Sequence, residues 1–125
     1  MDTQNMKRKG SWRSEWLKII CGFANTDGGV LIIGIRDNGE VLGVDDPHHV
    51  MKLIMENIRN KLDVKTSVGE IVEDSRKCIK IIVEKSDHYV DLDGIFYERL
   101  GNTTRRVTGE LLKSWILSNM IHHRS

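Results

Sequence analysis

Two stretches of this 125-residue sequence concentrate side chains that address phosphate. Lys7-Arg8-Lys9 places three cations in a row near the N-terminus. Tyr97-Glu98-Arg99-Leu100-Gly101-Asn102-Thr103-Thr104-Arg105-Arg106 combines an aromatic ring, three arginines, an amide and two hydroxyls around one glycine. Guanidinium forks, ammonium groups and hydroxyls are the groups that hold phosphate oxygens. Arg105 and Arg106 have no apolar role in the pattern. The second stretch therefore reads either as a phosphate-contacting segment or as a strand end followed by an exposed loop.

Other residue types support less chemistry. Asp2, Asp37, Asp45, Asp46, Asp91 and Asp93 are available for a divalent cation or a general base. Asp37 stands out because it follows an apolar, β-branched run, although Asp before Asn38-Gly39 also simply favours a turn. His48 and His49 are adjacent and point apart, His122 and His123 lie in the tail, and His88 stands by Asp87 with Asp91 nearby. None has the spacing and third ligand of a zinc site, so no metal site is assigned. Gly28, Gly29, Gly34, Gly39 and Gly43 follow a helix and precede or flank strands. A phosphate cradle has the opposite order, so these glycines read as turn and close-packing positions. Cys21 and Cys78 make neither a disulfide framework nor a zinc set, and read as small buried hydrophobes in a reducing compartment.

The elements that must position these groups follow from periodicity. Residues 1–11 lack a pattern and read as an arm or an edge strand. Trp12, Trp16, Ile19, Ile20 and Phe23 recur at three and four, predicting a helix capped by Ser11 and ending at Asn25 to Gly29. Val30 to Ile35 reads as a central strand buried on both faces. Asn38-Gly39 predicts a type I′ hairpin returning over Glu40 to Val44. Asp46-Pro47 opens a second helix, with apolar positions to Leu62. A weak strand within 63–74, a turn at Asp74 to Lys77, a strong strand Cys78 to Val83 and a short strand Ile95 to Arg99 follow. Thr108 caps a last helix from Gly109 to about Met120, and residues 121–125 read as a frayed tail. The expected architecture is one α+β domain over residues 1–125, with a mixed sheet of about five to six strands, a central hairpin and three helices.

Charge is unevenly distributed. Residues 1–18 carry five bases and two acids, and residues 99–125 five bases and one acid. The middle of the chain carries nine bases and fifteen acids, so the net +1 conceals two basic ends on an acidic body. If the ends meet, they form a face for a polyanion. No apolar run approaches the length of a membrane span, and residues 1–5 contain no signal-peptide core, so a cytoplasmic protein without a membrane partner is expected.

Several stretches together resemble one family. Gly22-Phe23-Ala24-Asn25-Thr26-Asp27-Gly28-Gly29-Val30-Leu31-Ile32-Ile33-Gly34-Ile35-Arg36-Asp37-Asn38-Gly39 and Val41-Leu42-Gly43-Val44 resemble the central signature of the Schlafen/AlbA-type domain. That domain occurs in bacterial and archaeal proteins described as transcriptional regulators or RecG-helicase-related, and in animal Schlafens. Tyr97 to Thr104 resembles its later motif, and Ser11 to Lys18 the first-helix start of its bacterial branch. The resemblance implies an α+β fold and contact with DNA or RNA. Some Schlafens cleave tRNA or rRNA with a divalent ion and three carboxylates, two from an N-terminal glutamate pair and one from the aspartate ending the central strand, so Mg²⁺ or Mn²⁺ is implied only for a nuclease. Asp37 matches the strand-ending aspartate and Asp2 falls at the first glutamate. Lys7 falls at the second glutamate, and Lys9 at the family's usual lysine. A lysine brings positive charge where a cation's ligand belongs.

The expectation is therefore a non-catalytic nucleic-acid-binding module without a cofactor. Lys7, Arg8, Lys9, Arg99, Arg105 and Arg106 would contact phosphates, with Asn102, Thr103 and Thr104 in support. Two alternatives stand beside it. One is a divalent-metal RNA endonuclease using Asp2 and Asp37, completed by Asp91 or Glu15. The other is a homodimerisation or protein-interaction domain built on strand edges or the last helix.

Overall fold

The computed structural model describes residues 3–122; Asp2 and the tail residues 123–125 lie outside them. The larger of two sheets has the order β1-β2-β4-β3. Its strands are β1 (Met6–Lys9), β2 (Gly29–Ile33), β3 (Thr66–Glu73) and β4 (Arg76–Val83). β1 runs parallel to β2, and β4 is antiparallel to both β2 and β3. The smaller, antiparallel sheet is β5 (Asp91–Leu92), β6 (Ile95–Leu100) and β7 (Thr103–Arg106). Helices α1 (Leu17–Asn25), α2 (Pro47–Lys61) and α3 (Gly109–His122) complete an α+β fold.

Strand parity builds the core. Leu31 and Ile33 of β2 lie in register with Ile81 and Ile79 of β4, on the face covered by α1 and α2. There they meet Ile20 and Phe23 of α1 and Ile54 and Ile58 of α2. Val30 and Ile32 face the other way, into a smaller cluster with Met6, Val41, Ile71 and Cys78. α1 is buried along nearly its whole length because it packs on the large sheet on one side and on β6 on the other. Gly22 permits this second approach: a Cβ there would meet the Glu98 carbonyl carbon and the Thr104 methyl, each at 3.3 Å.

Four expectations change. The strands divide between two sheets because α1 passes between them. β7, read from sequence as a loop, is a strand, its exposed alternation hiding it. α1 begins at Leu17 after a 3₁₀ turn at Ser14–Trp16, not at a Ser11 cap. Ser11 instead gives its carbonyl to the Trp16 indole N–H at 3.0 Å. Finally, the hairpin signals exchange places. At Asn38-Gly39 only Gly39 has positive φ, 92°, and Arg36 N–H bonds to the Glu40 carbonyl at 2.9 Å, closing a three-residue loop. The return over 40–44 forms a single bridge, Ile35 to Val41, because β1 and β4 already occupy both edges of β2. The two-residue turn with positive φ at both positions is Asp74 (46°) and Ser75 (62°), joining β3 to β4.

α2 is capped as its sequence suggests. Asp46 Oδ1 accepts from His49 N–H at 3.4 Å and Pro47 stands in the first turn. α3 docks through Trp115, which stacks on Tyr89 (centroids 4.0 Å, 6° between planes) and meets Phe96 edge-on at 6.0 Å. Leu111, Ile116, Leu117, Met120 and Ile121 remain exposed, since apolar residues surround this helix and only one side is docked. Among the described residues no helix is long and apolar enough to cross a membrane.

Candidate nucleic-acid interface

β1 carries the basic triplet along a sheet edge, with Lys7 opposite Leu31, Arg8 opposite Ile32 and Lys9 opposite Ile33. Alternation sends Lys7 and Lys9 to the helix-covered face and Arg8 to the opposite face. The heads of Lys7 and Arg8 nevertheless both reach the turn after β2. Lys7 Nζ lies 3.8 Å from Asp37 Oδ1, and Arg8 Nη2 donates to the Asp37 carbonyl at 3.4 Å. Lys9 Nζ sits 4.1 Å from the centroid of Trp16, a cation over an aromatic face. Arg36 adds an exposed guanidinium, 3.6 Å from Glu40. Among the described residues, the cations Lys7, Arg8, Lys9 and Arg36 and the carboxylates of Asp37 and Glu40 thus share this corner.

The second stretch behaves differently. Arg99 is 3% exposed, so it is an interior side chain and not the surface phosphate contact its type suggested. Its Nη2 donates to the Thr3 carbonyl at 2.7 Å, Nε to the Gln4 carbonyl at 3.1 Å and Nη1 to Thr104 Oγ1 at 3.2 Å. The guanidinium also lies 4.9 Å from the Phe23 ring centroid. Arg99 bolts the start of the arm to the core. Thr104 serves that bolt, and Thr103 Oγ1 donates to the Leu100 carbonyl within the β6–β7 turn. Arg105 Nε and Nη2 both reach Glu98 Oε2, at 3.2 and 2.6 Å, which offsets its charge. Asn102 and Arg106 are exposed. The second stretch therefore meets the first from one end: Arg99 grips Thr3 and Gln4, just before β1, while the Asp37 turn meets Lys7 and Arg8 within it.

Sequence reasoning passed over the residues that hold this frame. Asn25 is buried at the end of α1; its Nδ2 donates to the carbonyls of Val90 (2.8 Å) and Tyr97 (2.9 Å). Its Oδ1 accepts from Val90 N–H at 2.8 Å. Thr26 Oγ1 donates to the Gly22 carbonyl at 2.8 Å and accepts from Arg99 N–H at 2.9 Å. The available signal was an Asn-Thr pair ending an otherwise apolar helix.

The remaining candidates are dispersed. Asp46 caps α2, Asp93 pairs with Lys61 at 3.1 Å, and Asp91 accepts from Gly94 N–H. His88 lies between Asp87 (2.8 Å) and Asp63 (3.4 Å), not against Asp91. Among the described residues no three His, Cys, Asp or Glu side chains are grouped to hold a metal ion. The Lys7 ammonium stands 3.8 Å from the Asp37 carboxylate, which adds positive charge where a divalent ion would bind. Asp2 lies outside the described residues. Lys7→Glu is expected to set two carboxylates together and lower stability by about 0.5–1 kcal/mol. Millimolar Mn²⁺ should raise the melting temperature of that variant and leave the wild type unchanged.

Both thiols are buried. Burial, the main cause, pushes Cys21 up from 9.0 to about 11, and burial also raises Cys78. The folded state favours the protonated Cys21, so its contribution is complete below pH 9 and is lost as pH rises through about 11. Between those limits the loss should reach about 2–3 kcal/mol. Urea midpoints at the two ends should fall less far apart in Cys21→Ala than in the wild type, since other groups titrate alike in both.

Solved structures share this fold. The crystal structure of the DIP2311 protein from Corynebacterium diphtheriae superposes with a TM-score of 0.65 at 21% identity, over 82% of this chain. This chain spans only about a quarter of that protein, 24% of its length. The solution structure of the N-terminal domain of a RecG-helicase-related protein from Nitrosomonas europaea gives 0.55 at 22% identity, over 85% of this chain and 83% of that one. No curated protein matches the sequence. The Schlafen, AlbA_2 family model matches residues 2–108, which include the basic strand, the Asp37 turn and the Arg99 bolt. The chain belongs to the Schlafen AlbA_2 family.

Proposed function

We propose that this chain is a nucleic-acid-binding module that holds the phosphate backbone at the corner between β1 and the Asp37 turn. The observation that carries the reading is the convergence of Lys7, Arg8, Lys9 and Arg36 on that turn. Membership of the Schlafen AlbA_2 family supports it, as does the likeness to a domain of a RecG-helicase-related protein. A role within a transcriptional regulator or a helicase-related protein follows from the same reading. Contacts of this type give affinity and orientation, not sequence choice.

The test is fluorescence anisotropy with labelled duplex DNA, single-stranded DNA and tRNA across a salt series in EDTA. Three or four neutralised phosphates give a log–log slope of about −3 on duplex DNA. Lys9→Ala should flatten that slope by about 1. Arg105→Ala should leave it nearly unchanged, since Glu98 already holds that guanidinium. Absence of binding at low salt would reject the reading.

A second reading is self-association through α3, favoured by the exposure of Leu117, Met120 and Ile121. Light scattering at two concentrations decides it, and a monomer throughout removes it.

A further inference from the structure

A notch of about 340 Å³ opens between the end of β1 and the start of α2. Trp12, Ile33, Val44, Val50 and Leu53 give it apolar walls, and Ser11 and Asp45 also line it. Gly10 is shared between this notch and a recess of about 360 Å³ lined also by Lys9, Arg36, Asn38 and one carboxylate, Asp37. An apolar, partly aromatic hollow thus adjoins a cationic one, with only a glycine between them.

We propose that the notch accepts one unstacked nucleobase while the adjoining phosphate lies against Lys9 and Arg36. The chain then prefers single-stranded to duplex nucleic acid. This rests on the nucleic-acid reading above and names its ligand class. The Trp12 indole N–H donates to Asn57 Oδ1 at 3.1 Å, which fixes the ring before any ligand arrives. A preset aromatic wall loses little conformational freedom on binding. Leu53, 41% exposed, forms apolar rim that a flat ring would cover. The polar groups suit a base edge: a carboxylate such as Asp45 accepts from an exocyclic amine, as acidic side chains do from cytosine. The neighbouring cations favour an occupant attached to a phosphate over an apolar side chain of a protein partner. A paired, stacked base cannot enter without leaving the duplex.

The experiment compares a short labelled oligo(dC) with an abasic phosphodiester of the same length and charge, by anisotropy in EDTA. Stacking of one base predicts oligo(dC) binding about five-fold tighter or more. Trp12→Phe should keep most of that difference and Trp12→Ala should lose it. Leu53→Glu, at an exposed helix position, should also lose it, which guards against a folding defect at Trp12. Equal binding of both probes to the wild type, with a steep salt slope, overturns the notch while leaving the phosphate reading standing. That is also the result expected if an apolar protein side chain is the occupant. Failure of both probes to bind at low salt overturns the two together.

Discussion

Asn25→Leu is expected to lower the unfolding free energy by about 3–5 kcal/mol in urea titrations, a large part of a small domain's total. Leucine fills nearly the same space but has no polar atoms. The change strands Val90 N–H and removes the amide donor from the carbonyls of Tyr97 and Val90, the latter keeping only the weak Cys21 thiol donor at 3.4 Å. Each buried group left without a partner costs about 1–3 kcal/mol. Asn119 is the internal comparison, because it brackets the backbone of Tyr89 in the same way, at 2.9 and 2.7 Å, but is only half-buried. Water can replace its bonds, so Asn119→Leu should cost about 1–2 kcal/mol. A cost for Asn25→Leu no greater than that for Asn119→Leu would refute the assigned role.

Arg99→Met should destabilise the fold by about 2–4 kcal/mol, because the Thr3 and Gln4 carbonyls and Thr104 lose a charged donor together. Arg99→Lys should recover little, since an ammonium cannot reproduce three divergent guanidinium bonds. The salt slope of any nucleic-acid binding should not change in the fraction that remains folded. A phosphate contact at Arg99 would give the reverse pattern: an unchanged melting temperature and a slope reduced by about 1. The pair of measurements separates a bolt from a ligand contact.

The contrast explains what could be read in advance. Strong local signals survived: the β-branched run became β2, Asp46-Pro47 opened α2, and Cys78 to Val83 lay within β4. Residue types also marked the right neighbourhood, since Lys7 and Asp37, far apart in sequence, do come together. What failed depended on tertiary context. Arg99 carries the same guanidinium as Arg106, and nothing local says that one lies under the arm and the other in water. β7 is a run of Thr and Arg whose strand character comes from pairing with β6. Among the described residues, the arm's own carbonyls engage Arg99 and Glu98 engages Arg105, so these two arginines serve the fold. The first of these is written in contacts between residues about 95 positions apart in sequence and leaves no periodic trace.

The position of β1 has one more consequence. It pairs with β2 on one side; on the other, among the described residues, Thr3 bridges Met6 and no strand continues that pairing. A bare strand edge is a template for sticking to other chains, and charged side chains are a common protection against it. Lys7, Arg8 and Lys9 therefore guard the colloidal state of the protein as well as addressing phosphate. Exchanging all three for threonine, a good strand former, should produce a protein that precipitates as concentration rises, even where its melting temperature is unchanged. In the wild type, a bound polyanion would cover the same strand and add to that protection.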